Sequence, residues 1–136
     1  MVEVEIIYKG ELRCEAKHGP SQTQISTDAP VDNQGRGESF SPTDLVATAL
    51  GTCMATIMGI VAERENVCLR GMSLKVSKEM SMDLPRRIIA LPVEIRMPIR
   101  EGDPLVAVFQ EAAIGCPVNG SIHPDIRVPI SWHWLE

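Results

Sequence analysis

The sequence has no surplus of positive charge. Thirteen Lys and Arg stand against eighteen Asp and Glu, a formal net charge of −5, so no basic field gathers phosphates. No Lys/Arg run interleaves with aromatic residues as it would on a nucleic-acid surface, and nucleic acid is not an expected partner. The stretch MVEVEIIYKGELRCEAKHG carries acids where a signal peptide needs a basic region, and it alternates where one needs an apolar block. The four cysteines, Cys14, Cys53, Cys68 and Cys116, form no CxxC pair and no other close metal-ligand spacing. At 136 residues the chain is also too long to depend on a disulfide scaffold. These absences predict a protein of the reducing cytoplasm, without a metal, whose thiols are free to react.

A further absence is local. Leu45 to Ala62 is a run of eighteen residues without a charge, which is about the lower limit for a membrane span. Three threonines, four alanines and two glycines make the run only weakly apolar. Asp44 and Glu63 close it without flanking Trp, Tyr or Lys anchors. The run therefore predicts a buried core helix and no membrane partner.

What is present fits one domain spanning residues 1–136, with 44% hydrophobic residues to fill its core. VEVEIIYK and ELRCEAKH, joined at Gly10, alternate with period two and predict paired strands, and QTQISTD predicts a third. APVDNQGRGESF, rich in turn residues, predicts an irregular loop. A long helix over about 42–65 follows, with Ser41 as N-cap, Pro42 at its first position and Asp44 at its third. MSLKVSKEM and RRIIALPVEIRMPI predict two strands around a turn at Leu84-Pro85. A second helix over about 104–115 is capped by Asp103 and ends before Cys116-Pro117. The last strand, IRVPISWHWLE, sets Ile126, Val128, Ile130, Trp132 and Trp134 on one face. This order predicts an α+β fold with mostly antiparallel sheet and a long buried central helix.

On a wheel of about 100° per residue, Ala47, Gly51, Ala55 and Gly59 form a ridge of small residues along the long helix. The helix is apolar or small on every side, and one chain of this size has little material to cover it all round. A homodimer in which two such helices meet, their small ridges facing, answers that need. The alternative is that the ridge packs on the chain's own sheet. Cys53 lies about 200° from Gly51 on the wheel, away from the ridge, beside Val46, Ala49, Leu50, Thr56, Ile57 and Ile60. Taken alone it reads as a small hydrophobe. Cys116, left near a helix end in CPVNGSIHPDI, supplies a second thiol that could meet it as attacking and resolving partner, although spacing does not show that the two meet.

YKGELR, the loop through TDAP, SFSPTDLVATALGTC and CPVNGSIHPDI occur in this order over essentially the whole chain. In this the sequence resembles the osmotically inducible and organic hydroperoxide resistance (OsmC/Ohr) family. The resemblance implies an intertwined α+β homodimer with two long central helices. It also implies a cysteine-based peroxidase reducing organic hydroperoxides, with Cys53 as peroxidatic and Cys116 as resolving thiol. An external dithiol would be the reductant, and no cofactor would be needed. A buried thiolate requires a cation. The family match for that cation is Arg13, with Arg36 as its rival, and the nearest match for the acid that fixes the arginine is Asp44. Here the sequence departs from the organic-hydroperoxide branch, whose glutamate falls where this chain has Thr43. Asp44 serves equally as a helix cap, and about 180° separates it from Cys53 on the wheel.

Cys14 and Cys68 read as structural, because nothing near them suggests activation. His18, His123 and His133 are scattered, and Cys116 with His123 would need two further ligands to hold zinc. The other class of function left open is a noncatalytic dimer that binds an apolar small molecule, or senses redox state through its thiols.

Overall fold

The structure is a computed structural model that describes all residues, Met1 to Glu136, and it divides into two compact units, Met1–Val46 and Ala47–Glu136. The first is built on a three-stranded antiparallel sheet in the order β1 (Val4–Gly10), β2 (Arg13–His18), β3 (Gln24–Asp28). The β1–β2 connection is a two-residue loop, with Glu11 at φ 54° and Leu12 at φ 63°. Both central residues thus occupy the left-handed region that a tight hairpin needs to match strand twist. Gly10 was the expected joint. It instead ends β1 at φ 84° and pairs with Arg13. The consequence for the site is one of register, because Arg13 opens β2 directly opposite Asp28 at the end of β3.

Residues 29–40 fold as the expected irregular loop, with one 3-10 turn at Val31–Asn33. The loop doubles back over the end of β3. The Asp28 amide donates to the Phe40 carbonyl at 3.0 Å, and Gly37 N donates to Ala29 O at 3.2 Å. Gly35 makes this path possible, since a Cβ there would lie 1.7 Å from the Ala29 carbonyl oxygen. Helix α1, Pro42–Arg64, then begins as predicted. Ser41 N donates to Asp44 Oδ2 at 2.9 Å and Asp44 N to Ser41 Oγ at 3.1 Å, a reciprocal pair that satisfies amides left free at a helix start.

The second unit takes the rest of α1, a three-stranded sheet in the order β4 (Ser73–Val76), β7 (Val93–Arg100), β8 (Ile130–Leu135), a small β5 (Glu79–Met80)–β6 (Ile88–Ala90) pair, and α2 (Val106–Ile114). β4–β7 and β5–β6 are antiparallel, while β7 and β8 are parallel, with α2 in the connection between them. Each of the two strands predicted over residues 72–99 is thus two strands. Pro92 separates β6 from β7 because it has no N–H to give a ladder, and its carbonyl accepts instead from Ser77 N at 2.9 Å. Pro98 acts likewise within β7, where the pairing with β8 is interrupted between Arg96 and Arg100. The fully buried positions alternate along β7 as Val93, Ile95, Met97 and Ile99, the pattern of a strand with one covered face. The half-buried face of the last segment, Ile126 through Trp134, is the predicted one.

The second helix starts two residues later than expected. Asp103 does not cap α2. Its Oδ1 accepts from Leu105 N at 2.8 Å, a local side-chain turn that holds Pro104 and Leu105 outside the helix. On α1 the small ridge also departs from expectation. Gly51 packs on the chain's own sheet, where a Cβ would lie 2.9 Å from Val76 Cγ2 on β4, whereas Gly59 has nothing within 4 Å of that position. Ala47, Leu50, Gly51, Met54, Met58 and Ala62 are the buried residues of α1. The single chain therefore covers one face of this helix, not every side.

Candidate active site

The two thiols that sequence spacing left unconnected lie together in the second unit. Cys53 stands in the middle of α1, half-buried. Cys116 follows the C-cap Gly115 of α2, where Pro117 cannot continue the helix, and is 1% exposed. The two side chains are close enough that Cys53 bears on the titration of Cys116. Both cysteines are free thiols. Burial pushes the Cys116 thiol above its ordinary range and the neighbouring Cys53 adds to the effect, while the Asn119 amide that donates to the sulfur partly offsets it. Cys116 is thus a thiol, not a thiolate, at neutral pH, and it lies near a sulfur that is more open than its own.

The turn after α2 fixes this arrangement. Asn119 N donates to Cys116 Sγ at 3.4 Å, and the Asn119 side-chain Nδ2 donates to the Ile114 carbonyl at 2.8 Å. One residue therefore satisfies a carbonyl at the helix end and supplies an amide to the thiol. Gly120 N and Ile122 N close the next turns onto Cys116 O and Val118 O, at 3.1 Å each.

Arg13 and Asp44 belong to the first unit. Arg13 reaches two carboxylates, Asp28 at 3.5 Å and Glu38. Asp28 is 1% exposed, and its Oδ2 also accepts from Glu38 N at 3.0 Å. That amide first, and then Arg13, hold the Asp28 carboxyl below its usual range against the opposing effect of burial. Arg13 Nε and Asp28 Oδ1 are buried without a hydrogen-bond partner in the chain. The two residues line an open cavity of about 390 Å³ with Lys9, Cys14, Glu15 and Glu38. The rival cation, Arg36, is more than half exposed and pairs with Glu11 at 3.3 Å. Asp44 lies in the capping box of α1, the structural role that sequence reasoning weighed equally.

Sequence reasoning missed Asp28, Glu38 and Asn119. Asp28 was within reach of it, since a two-residue turn after Gly10 sets the end of β3 opposite Arg13. Glu38 comes from a loop whose path no local pattern dictates, and Asn119 acts through its backbone amide as well as its side chain. Cys14 is half-buried on β2 opposite Thr27, and Cys68 is exposed beyond α1. No three His, Cys, Asp or Glu side chains come together as a metal site.

The Asp28–Arg13 pair predicts a pH dependence of stability. A carboxyl held below its unfolded value contributes stability that is fully present above the unfolded pKa of about 3.9 and is lost as pH falls through the lower folded value. Urea unfolding of Asp28→Asn is therefore expected to show a deficit against the parent chain that is constant from neutral pH down to about pH 5 and shrinks below the usual carboxylate pKa. A deficit that grows on acidification would refute the assignment.

Fold and site together define an α+β protein with a buried thiol facing a more open one. The chain belongs to the OsmC-like protein family, whose model matches residues 35–131. It is similar to a protein of Psychrobacter arcticus 273-4, provisionally named for osmotic stress induction and detoxification response. That protein is 44% identical, with a TM-score of 0.91 over 98% of this chain and 96% of that one. An organic hydroperoxide resistance protein OsmC from Legionella pneumophila is 14% identical, with a TM-score of 0.79 over 98% of this chain and 96% of that one. An OsmC-like protein from Mycoplasma pneumoniae is 11% identical, with a TM-score of 0.82 over 100% and 98%. The last two share the fold alone. No curated protein matches the chain.

Proposed function

We propose that this protein is a cysteine-based peroxidase that reduces organic hydroperoxides. The observation that carries the reading is the juxtaposition of two free cysteines, Cys53 and Cys116, within one unit. In the proposed cycle the Cys53 thiolate attacks the terminal peroxide oxygen and the O–O bond breaks. The leaving oxygen takes a proton and departs as an alcohol, and Cys53 becomes a sulfenic acid. The Cys116 sulfur then attacks the Cys53 sulfur, water leaves and a disulfide forms. An external dithiol returns both cysteines to thiols. Arg13, anchored by Asp28 and Glu38, has the fixed charge that the family resemblance assigns to the thiolate's cation. Asp44 is proposed to support the same site from the capping box, and the cycle needs no cofactor.

The same reading takes the protein as a homodimer of the cytoplasm. Helix α1 is long and apolar enough to cross a membrane by length and composition, with a mean hydropathy of 2.0 over its best window, yet only 33% of that window is buried in one chain. Ala49, Thr52, Thr56 and Ile60 leave one side of it open, and Val4, Ile6, Ile7 and Tyr8 are exposed on β1. Apolar surface on this scale marks an interaction site, and a second copy offers a matching helix and sheet. Light scattering is expected to give twice the chain mass of 14.9 kDa.

The deciding experiment treats reduced protein with one equivalent of an organic hydroperoxide and maps the cysteine peptides by mass spectrometry. A peptide joining Cys53 to Cys116, together with sustained turnover once a dithiol is added, is the expected result. If both cysteines remain reduced and the peroxide is unconsumed, the peroxidase reading fails and the family fold serves here to bind an apolar molecule.

A further inference from the structure

The two sulfurs of the thiol pair differ in access and in what surrounds them, and the difference bears on the return half of the cycle. Cys116 is 1% exposed within a single chain, so addition of a second chain cannot open it. Cys53 is half-buried within a single chain, on the side of α1 that the proposed second copy adjoins, and any peroxide or reductant that enters the site meets it before Cys116. Thiol–disulfide exchange requires the incoming thiolate to reach the sulfur it attacks, in line with the bond that breaks. The sulfur not attacked must depart with the electron pair.

We infer that reduction of the Cys53–Cys116 disulfide runs in one direction: the reductant attacks Cys53, Cys116 is the leaving thiolate, and Asn119 positions the amide donor that receives it. The inference rests on the proposed thiol pair and adds which sulfur meets the reductant. In atoms, a reductant thiolate bonds to Cys53 Sγ and the S–S bond breaks. Its electron pair goes to Cys116 Sγ, which then takes a proton. A second reductant thiol attacks the Cys53 mixed disulfide, releasing Cys53 thiolate and the oxidised reductant.

A buried leaving group would by itself make this route slow, because a low-dielectric site disfavours a thiolate. The turn 116–120 offsets part of that cost. Asn119 N donates to the Cys116 sulfur at 3.4 Å. The Asn119 side chain ties this turn to the end of α2 through the Ile114 carbonyl at 2.8 Å, which sets the direction of the amide. Amides fixed before the bond breaks stabilise developing negative charge without reorganisation.

The test forms the disulfide without peroxide. Diamide takes two electrons and two protons from the thiol pair, and peptide mass confirms the Cys53–Cys116 link. The oxidised protein is then exposed briefly to glutathione, quenched with acid and mapped. The expected first adduct is glutathione on Cys53, with Cys116 free. An adduct on Cys116, or a native disulfide that glutathione cannot open, overturns the inference. A pair that diamide fails to join removes both the inference and the peroxidase reading. A pair that diamide joins but hydroperoxide does not removes the peroxidase reading alone and leaves the direction of reduction measurable.

Asn119→Ala supplies the second arm. The substitution keeps the backbone N–H that donates to Cys116 and removes the side-chain tie to Ile114 that aims it. Full loss of a donor to a charged group corresponds to about tenfold, so the rate of disulfide reduction by glutathione is expected to fall by a factor of about three to ten. The rate at which organic hydroperoxide oxidises Cys53 should stay unchanged. Equal slowing of both half-reactions would reduce Asn119 to a structural residue.

Discussion

Cys53→Ser is expected to lose organic hydroperoxide reduction by roughly 10³-fold or more, the scale on which removal of a catalytic nucleophile acts. Cys116→Ser should behave differently, consuming about one equivalent of peroxide per chain in a single burst without dithiol, and with dithiol turning over more slowly than the parent, at the rate at which the dithiol reduces Cys53 sulfenic acid directly. The asymmetry follows from the site. Cys53 is the half-buried sulfur that a peroxide can reach, whereas Cys116 is 1% exposed and is held as a thiol by its burial. In the proposed cycle, removing Cys116 leaves the first chemical step intact and prolongs the life of the sulfenic acid, which a dimedone adduct on Cys53 would record. Peroxide consumption measured with and without dithiol separates the two variants. Retention of parental turnover by Cys53→Ser, or a dimedone adduct on Cys116 in the parent chain, would reverse the assignment. Each substitution exchanges sulfur for oxygen at a site without a volume change large enough to unfold the chain, so loss of activity is readable as chemistry once far-UV circular dichroism matches the parent.

Much of this site was legible in the sequence, and the reasons are specific. Ser41, Pro42 and Asp44 are helix-start residues whose preference is local, and α1 begins at Pro42 as they dictate. The alternating face from Ile126 to Trp134 followed from the two-residue period of a strand. Cys116 stood out because Pro117 ends a helix regardless of context. Elements failed where a nonlocal or competing bond decided the outcome. Asp103 looked like a cap, yet its carboxylate binds the amide two residues on, and α2 starts only at Val106. Pro92 and Pro98 broke ladders that apolar composition alone had joined. The small ridge on α1 was real as a pattern but not as one surface. Gly51 meets Val76 on the chain's own β4, while Gly59 meets nothing. A helical wheel identifies which residues share a side, and only tertiary packing says what covers that side.

The anchoring of Cys116 makes a second large effect predictable. Phe109 is fully buried in α2, and the next turns of that helix lead through Ala113, also fully buried, to the thiol. Truncating Phe109 to Ala removes a large apolar side chain and leaves a cavity, a change that costs about 3–5 kcal/mol. Against a net stability of about 5–15 kcal/mol for a typical domain, this is a severe loss. Val108, one residue earlier, is 41% exposed, and its truncation in the same helix is expected to stay within about 0.5 kcal/mol. Urea unfolding of the two variants tests the contrast, with similar midpoints for both as the result that would refute it. The functional consequence is separate from the thermodynamic one. The Cys116 amide donates to Ala113 O at 3.4 Å and Asn119 bonds the Ile114 carbonyl, so the thiol's place is set by the end of α2. If Phe109 seats that helix, Phe109→Ala assayed at a temperature where it remains folded should oxidise Cys53 at the parental rate and close the disulfide more slowly, with sulfenic acid accumulating as the visible intermediate. Parental closure rates would mean that the turn 116–120 holds Cys116 on its own, independently of how firmly α2 is packed.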